Sequence, residues 1–96
     1  MNVGVCKVSL RIPENMSLKG KRQVIKSITS KIRNKFNVAV AEVGKNDAWQ
    51  ASTIGVACLS NSKRHTNEVL SRAVNFIEAG GFAIELLDYE IEIIDI

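Results

Sequence analysis

A chain of 96 residues can build one hydrophobic core and leaves no room for separate catalytic and regulatory domains. With 46% hydrophobic residues, 24% charged residues and a single proline, its composition excludes the disordered and fibrous classes. The net charge of +3 conceals a basic first half and an acidic end, and this asymmetry is the most informative property of the chain.

Residues 3–12 alternate, with Cys6, Val8, Leu10 and Ile12 on one side and Lys7, Ser9 and Arg11 on the other, the period of a strand with one buried face. Pro13 ends it, because proline cannot donate to a ladder. Ser17 is a natural N-cap before Leu18, and the helix that follows is expected to run to Asn34 or Lys35. Residues 38–44 form a short strand, the polar segment Lys45-Asn46-Asp47-Ala48-Trp49-Gln50 a loop, and residues 52–59 a second alternating strand, so the pair reads as a hairpin. Gly55 within it permits close packing.

Asn61 or Ser62 caps a second helix, whose apolar positions Val69, Leu70, Ala73, Val74, Phe76 and Ile77 repeat at three and four residues, and Gly80 and Gly81 close it. Residues 82–94 then alternate again as a strand. The acids of this end, Glu85, Asp88, Glu90, Glu92 and Asp95, interleave with Leu87, Tyr89, Ile91 and Ile93, so the acidic terminus is structure rather than a solvated tail. Strand, helix, strand, strand, helix, strand is the order of a ferredoxin-like α+β sandwich: one domain over residues 1–96, a four-stranded antiparallel sheet with two helices on one face. In that fold the last strand lies beside the first, and Lys7 and Arg11 share the bare face with Asp88, Glu90 and Glu92. The C-terminal acids then need no ligand.

Seven of the thirteen cations, Lys19, Lys21, Arg22, Lys26, Lys31, Arg33 and Lys35, fall on the first helix, in a stretch from Asn15 to Ala41 without Asp or Glu. At 100° per residue Lys19, Arg22, Lys26 and Arg33 occupy roughly 60° of arc, beside the arc of Leu18, Ile25, Ile28 and Ile32 that must face the sheet. Lys21, Lys31 and Lys35 lie elsewhere around the helix, and Lys63 or Arg64 joins the stripe if the helices lie side by side. A helix shaped only for solubility commonly mixes signs to gain intrahelical pairs; one without acids reads either as the footprint of a polyanion site or as an ordinary solvated face. Lys19, Lys21, Arg22, Lys26 and Arg33 are the candidate nucleic-acid contacts. Aromatic residues are scarce at 5%, which speaks for phosphate contacts and against base-specific readout.

Catalysis finds little material. His65 sits beside Lys63 and Arg64 with no carboxylate near in sequence, the serines lack a nucleophile-elbow pattern, and neither GxGxxG nor a P-loop occurs. Cys6 and Cys58 stand alone in apolar runs without CxxC spacing, so buried free thiols are expected rather than a metal site. No enzyme activity and no cofactor are expected. No stretch approaches the roughly 18 apolar residues of a membrane span, and residues 1–7 contain no basic leader before a long apolar run, so a cytoplasmic protein without membrane contact is expected. Trp49, the only tryptophan, is expected to fold back as an anchor, with Asp47 shaping the turn and Gln50 bonding loop backbone; the other reading makes Asp47, Trp49 and Gln50 a partner-binding loop.

The segments Ser17-Leu18-Lys19-Gly20-Lys21-Arg22, Phe36 to Gly44, Asp47-Ala48-Trp49-Gln50, Gly55-Val56-Ala57 and Ser60-Asn61 resemble those of the YlxP-like family of small bacterial proteins. The likeness spans nearly the whole chain, with Asn46 and Ala51 departing from the family's pattern around the loop. It implies a ferredoxin-like fold and no known activity. Genes of such proteins often lie among those for transcription and translation factors, including ribosome-binding factor A, which implies a place near the ribosome. Two functions are therefore expected: a non-enzymatic module contacting RNA or a ribosomal partner through the first helix, or a homo-oligomeric module, a homodimer in its simplest form, using the bare sheet face and the Trp49 loop.

Overall fold

The computed structural model describes all residues from Met1 to Ile96. Six elements follow in the order β1 (Asn2–Arg11), α1 (Leu18–Lys35), β2 (Ala39–Gly44), β3 (Ala51–Ser60), α2 (Lys63–Ala79) and β4 (Glu85–Asp95). The strands form one antiparallel sheet in the order β2-β3-β1-β4, as the ferredoxin-like pattern requires. The inward positions of β1, namely Cys6, Val8, Leu10 and Ile12, pack with Ile54 and Val56 of β3 and Val40 of β2 against Ile25, Ile28 and Ile32 of α1 and Leu70, Ala73, Val74 and Ile77 of α2. This is a single core between the sheet and both helices, and the opposite sheet face carries no covering element.

Both helices start where their sequence signals put them. The Ser17 hydroxyl accepts from the Gly20 amide at 2.9 Å and the Ser62 hydroxyl from the His65 amide at 3.2 Å, each satisfying a donor that the first helical turn leaves without a partner. Neither first turn contains an acid. α2 ends at Gly80, and Gly81 takes φ of +76°, the conformation that glycine adopts without steric cost. The last strand starts at Glu85, three residues later than its alternation suggests. Phe82 and Ile84 have turned inward onto the core, and the Ile84 amide donates to the Phe82 carbonyl at 2.8 Å, closing a tight turn that competes with sheet pairing.

The two helices meet through their C-terminal parts rather than along their length. Phe36 and Phe76 stack edge to face at 5.9 Å, Phe76 and Phe82 at 5.8 Å, and the ammonium groups of Lys31 and Lys35 lie over the Phe82 and Phe76 rings at 5.3 and 5.0 Å. The molecule is correspondingly long, 43 × 21 × 18 Å.

β1 and β4 pair with Lys7 opposite Glu90, Ser9 opposite Asp88 and Val5 opposite Glu92. Opposite charges thus share the bare face, with one refinement: a register shift after Ser9 brings Arg11 opposite Glu85, and their charged groups lie 3.8 Å apart. No helix is long and apolar enough to cross a membrane.

Both cysteines are free; Cys6 is buried and Cys58 half-buried, its thiol donating to the Thr66 carbonyl at 3.8 Å. Burial pushes the Cys6 thiol up from 9.0 to about 11. The unfolded thiol ionises first, so the stability this group supplies is complete below pH 9 and declines as pH rises from 9 toward about 11. In urea titrations across that window, the wild type is expected to lose more stability than Cys6→Val; equal losses would mean that Cys6 titrates normally.

Candidate nucleic-acid interface

α1 buries Ile25, Ile28, Thr29 and Ile32 and leaves Lys19, Arg22, Lys26 and Arg33 exposed along one side. Periodicity alone produces this stripe: the positions are separated by three, four and seven residues, whole turns of helix. No carboxylate lies within ion-pairing distance of any of the four, since the side-chain ion pairs of the molecule involve Arg11, Lys21 and Arg64. Lys19, Arg22 and Lys26 make no side-chain hydrogen bond, while an Arg33 guanidinium nitrogen donates to the Val40 carbonyl at 2.9 Å and pins the far end of the stripe to β2. Arg64 is engaged with Glu68 at 3.3 Å one turn along α2, and the helices do not lie side by side, so the extension of the stripe by Lys63 or Arg64 is not realised.

Lys21 does not belong to this surface. Its side chain is fully buried, and its ammonium sits 2.9 Å from a Glu42 carboxylate oxygen, donates to the Asn46 carbonyl at 3.2 Å and donates to the Lys45 carbonyl. The same Glu42 oxygen accepts from the Ser52 hydroxyl at 2.6 Å. The reason lies in the helical period: Lys21 falls four residues before Ile25 and seven before Ile28, on the arc that faces the sheet, where a charge survives only with a partner and hydrogen bonds to all its protons. Among the candidate cations it is structural. Its three bonds join α1, β2 and the loop of residues 45–50.

That loop is tied a second time. The Asn15 amide nitrogen donates to the Trp49 carbonyl at 2.5 Å and to the Ser17 carbonyl at 2.7 Å, and the Gln50 side chain returns a bond to the Asn15 carbonyl at 3.1 Å. Gln50 therefore does hydrogen-bond backbone, but that of the β1–α1 connection rather than of its own loop. A Cβ at position 20 would stand 2.5 Å from the Asn15 side-chain oxygen, which accounts for Gly20 within the lysine-rich start of α1. Trp49 is anchored through its carbonyl, and the residue is half exposed, so it leaves surface open at the loop rather than filling the core. Asp47 is exposed at the turn, where the Ala48 amide donates to the Lys45 carbonyl at 3.1 Å. Trp49 and the exposed Met16 thus stand near the N-terminal end of α1. The bonds through Asn15 are a contribution that sequence reasoning missed, and nothing in the local pattern marks Asn15 beyond its place before an N-cap.

His65 is exposed, and no group of three His, Cys, Asp or Glu side chains is arranged to hold a metal ion. A family model described as "Protein of unknown function (DUF503)" matches residues 3–91. The chain is 38% identical over 77 residues to the "Uncharacterized protein YlxP" of Bacillus subtilis (strain 168), covering 80% of this chain and 84% of that protein. In fold alone it is similar to the de novo designed protein Foldit4, with a TM-score of 0.54 at 15% identity over 99% of this chain and 98% of the other.

The burial of Lys21 has a measurable consequence. Lys21→Ala strands the Glu42 carboxylate and is expected to cost about 3–5 kcal/mol in denaturant unfolding, whereas Lys19→Ala on the exposed stripe stays within about 0.5 kcal/mol of wild type. Lys21→Met combined with Glu42→Leu should recover most of the loss. A Lys21→Ala effect no larger than that of Lys19→Ala would show that the ion pair carries no stability.

Proposed function

The chain belongs to the DUF503 family of proteins of unknown function, and from that starting point we propose that it is a non-enzymatic binding module that contacts the phosphates of RNA through α1. One observation carries the reading: Lys19, Arg22, Lys26 and Arg33 are exposed on one side of a helix without acids, and no carboxylate of the protein neutralises them. Holding like charges together without acids is unfavourable for an isolated helix, so their arrangement is best understood with an anion in place. Each neutralised phosphate releases condensed counterions, which makes such a stripe a binding surface without any pocket.

Three features support RNA over other polyanions. Spaced cations on a rigid helix match a repeating backbone of phosphates. Trp49, exposed near the Lys19 end of the stripe, offers a face on which an unpaired base can stack. The family resemblance implies a place near the ribosome. Lys21 has no part in this surface. The contact is with backbone and shape, with no base-edge readout.

Fluorescence anisotropy with a single-stranded RNA tests the reading. Each phosphate contact contributes about 0.7 to the slope of log affinity against log salt, so Lys19→Gln, Arg22→Gln and Lys26→Gln together should weaken binding and reduce that slope by about 2. Because these three side chains have no partners in the protein, the melting temperature should hold. Equal affinity and slope for the triple variant and the wild type would dispose of the proposal.

A further inference from the structure

Where the C-terminal ends of α1 and α2 meet, a groove of ≈ 530 Å³ opens to solvent, within the roughly 300–1,000 Å³ of small-molecule sites. Phe36, Phe76 and Ala79 give it an apolar lining, and Lys35, Arg72 and Asn75 a polar one. The helical period gathers four of these six: Arg72, Asn75, Phe76 and Ala79 are spaced by three and four residues and share one side of α2. Phe36 and Phe76 are half-buried and meet edge to face, so aromatic surface runs along the groove.

The charge of this groove is not neutralised by the protein. Neither Lys35 nor Arg72 takes part in an ion pair, and the Arg72 and Asn75 side chains make no hydrogen bond within the chain. The acids nearest to Arg72 and Ala79 in sequence are turned elsewhere: Glu68 is engaged with Arg64 at 3.3 Å, and Glu78 stands roughly 110° around α2 from the centre of the lining arc. Two helix C-termini end here, each contributing about half a negative charge within its last turn. Against them stand whole positive charges on Lys35 and Arg72, with Lys31 close by over the Phe82 ring at 5.3 Å. The groove therefore stays positive.

We propose that this groove binds a nucleotide, a flat aromatic base joined to a phosphate. An inorganic anion would use the cations and leave the rings in water, whereas an uncharged ring would leave the cations without a partner. A nucleotide satisfies both halves of the lining. Arg72 can hold the phosphate through parallel N–H bonds, and Lys35, whose ammonium lies 5.0 Å from the Phe76 ring centre, adds a second charge. The base then lies on Phe36, Phe76 and Ala79 without its edges being read. Such a ligand has two sources, a free nucleoside monophosphate or one unit of an RNA strand. None of Lys19, Arg22 and Lys26 lines the groove, so this site stands or falls independently of the α1 stripe. Because the groove is shallow and leaves much of a ligand in water, a single nucleotide binds weakly, at submillimolar to millimolar concentrations.

Protein NMR with adenosine monophosphate as the probe tests the proposal. Titration to millimolar concentrations should shift the resonances of Asn75, Phe76 and Ala79 saturably and leave Trp49 unmoved, while adenosine and inorganic phosphate should each bind at least tenfold more weakly. Arg72→Gln and Ala79→Glu, both at exposed positions, should each weaken binding of the monophosphate at least tenfold with the melting temperature held. A second arm adds oligoadenylate to the variant carrying Lys19→Gln, Arg22→Gln and Lys26→Gln, in which the stripe is disabled. If RNA is the source, the strand saturates the Ala79 shift at lower nucleotide concentration than the monophosphate does; if a free nucleotide is the source, the order is reversed. Absence of a saturable shift at Asn75, Phe76 and Ala79 with both probes would overturn the proposal. Equal affinity for adenosine or for phosphate alone would overturn it too, as would binding indifferent to Arg72→Gln and Ala79→Glu.

Discussion

A buried lysine and a nearly buried glutamate hold one end of this molecule together. Lys21 and Glu42, 2.9 Å apart, lock α1 to the edge strand β2, and the remaining Lys21 protons fix the loop that carries Trp49. Removing two charges from water costs several kcal/mol, offset here by their attraction, by two backbone carbonyls and by the Ser52 hydroxyl. An apolar pair would fill the same space but would not specify where the loop sits. The ion pair ties the first turn of α1, the helix that carries the exposed cations, to β2.

Opposite charges are segregated between the two sides of the sheet. The β4 acids project from the bare face, where Lys7 and Arg11 lie among them, whereas the α1 cations project from the helical layer. The core thickness separates the two sets, well beyond contact distance, and salt screens what remains. A modest net charge of +3 therefore coexists with a strongly one-signed helix. The bare face carries Glu85, Asp88, Glu90 and Glu92 against Lys7 and Arg11, whereas the exposed stripe of α1 has no carboxylate beside it.

Much of this was legible in the sequence, and the failures have specific causes. The alternation of Cys6, Val8, Leu10 and Ile12, the Ser17 and Ser62 caps and the hairpin around residues 45–50 were readable because local physics alone decides them. Lys21 was misassigned because residue type was weighed above position: it shares its arc with Ile25, Ile28 and Ile32, and Glu42, inward beside Val40, was the available partner. The Asn15 bonds resisted reading, since they depend on two loops distant in sequence meeting in space. The stripe of Lys19, Arg22, Lys26 and Arg33 was predictable from spacing, but whether acids of other elements reached it was a tertiary question.

The meeting of the two helices at their C-terminal ends shapes the field of the whole molecule. Each helix carries about half a negative charge at that end and half a positive charge at its start, so the negative ends converge on the Phe36, Phe76 and Phe82 cluster, where Lys31 and Lys35 gather over the rings. The positive ends, with no acid in either first turn, lie apart along a 43 Å body. The backbone partial charges are thus positive at the two ends of the molecule and met by lysines at its waist, each acting over about one helical turn.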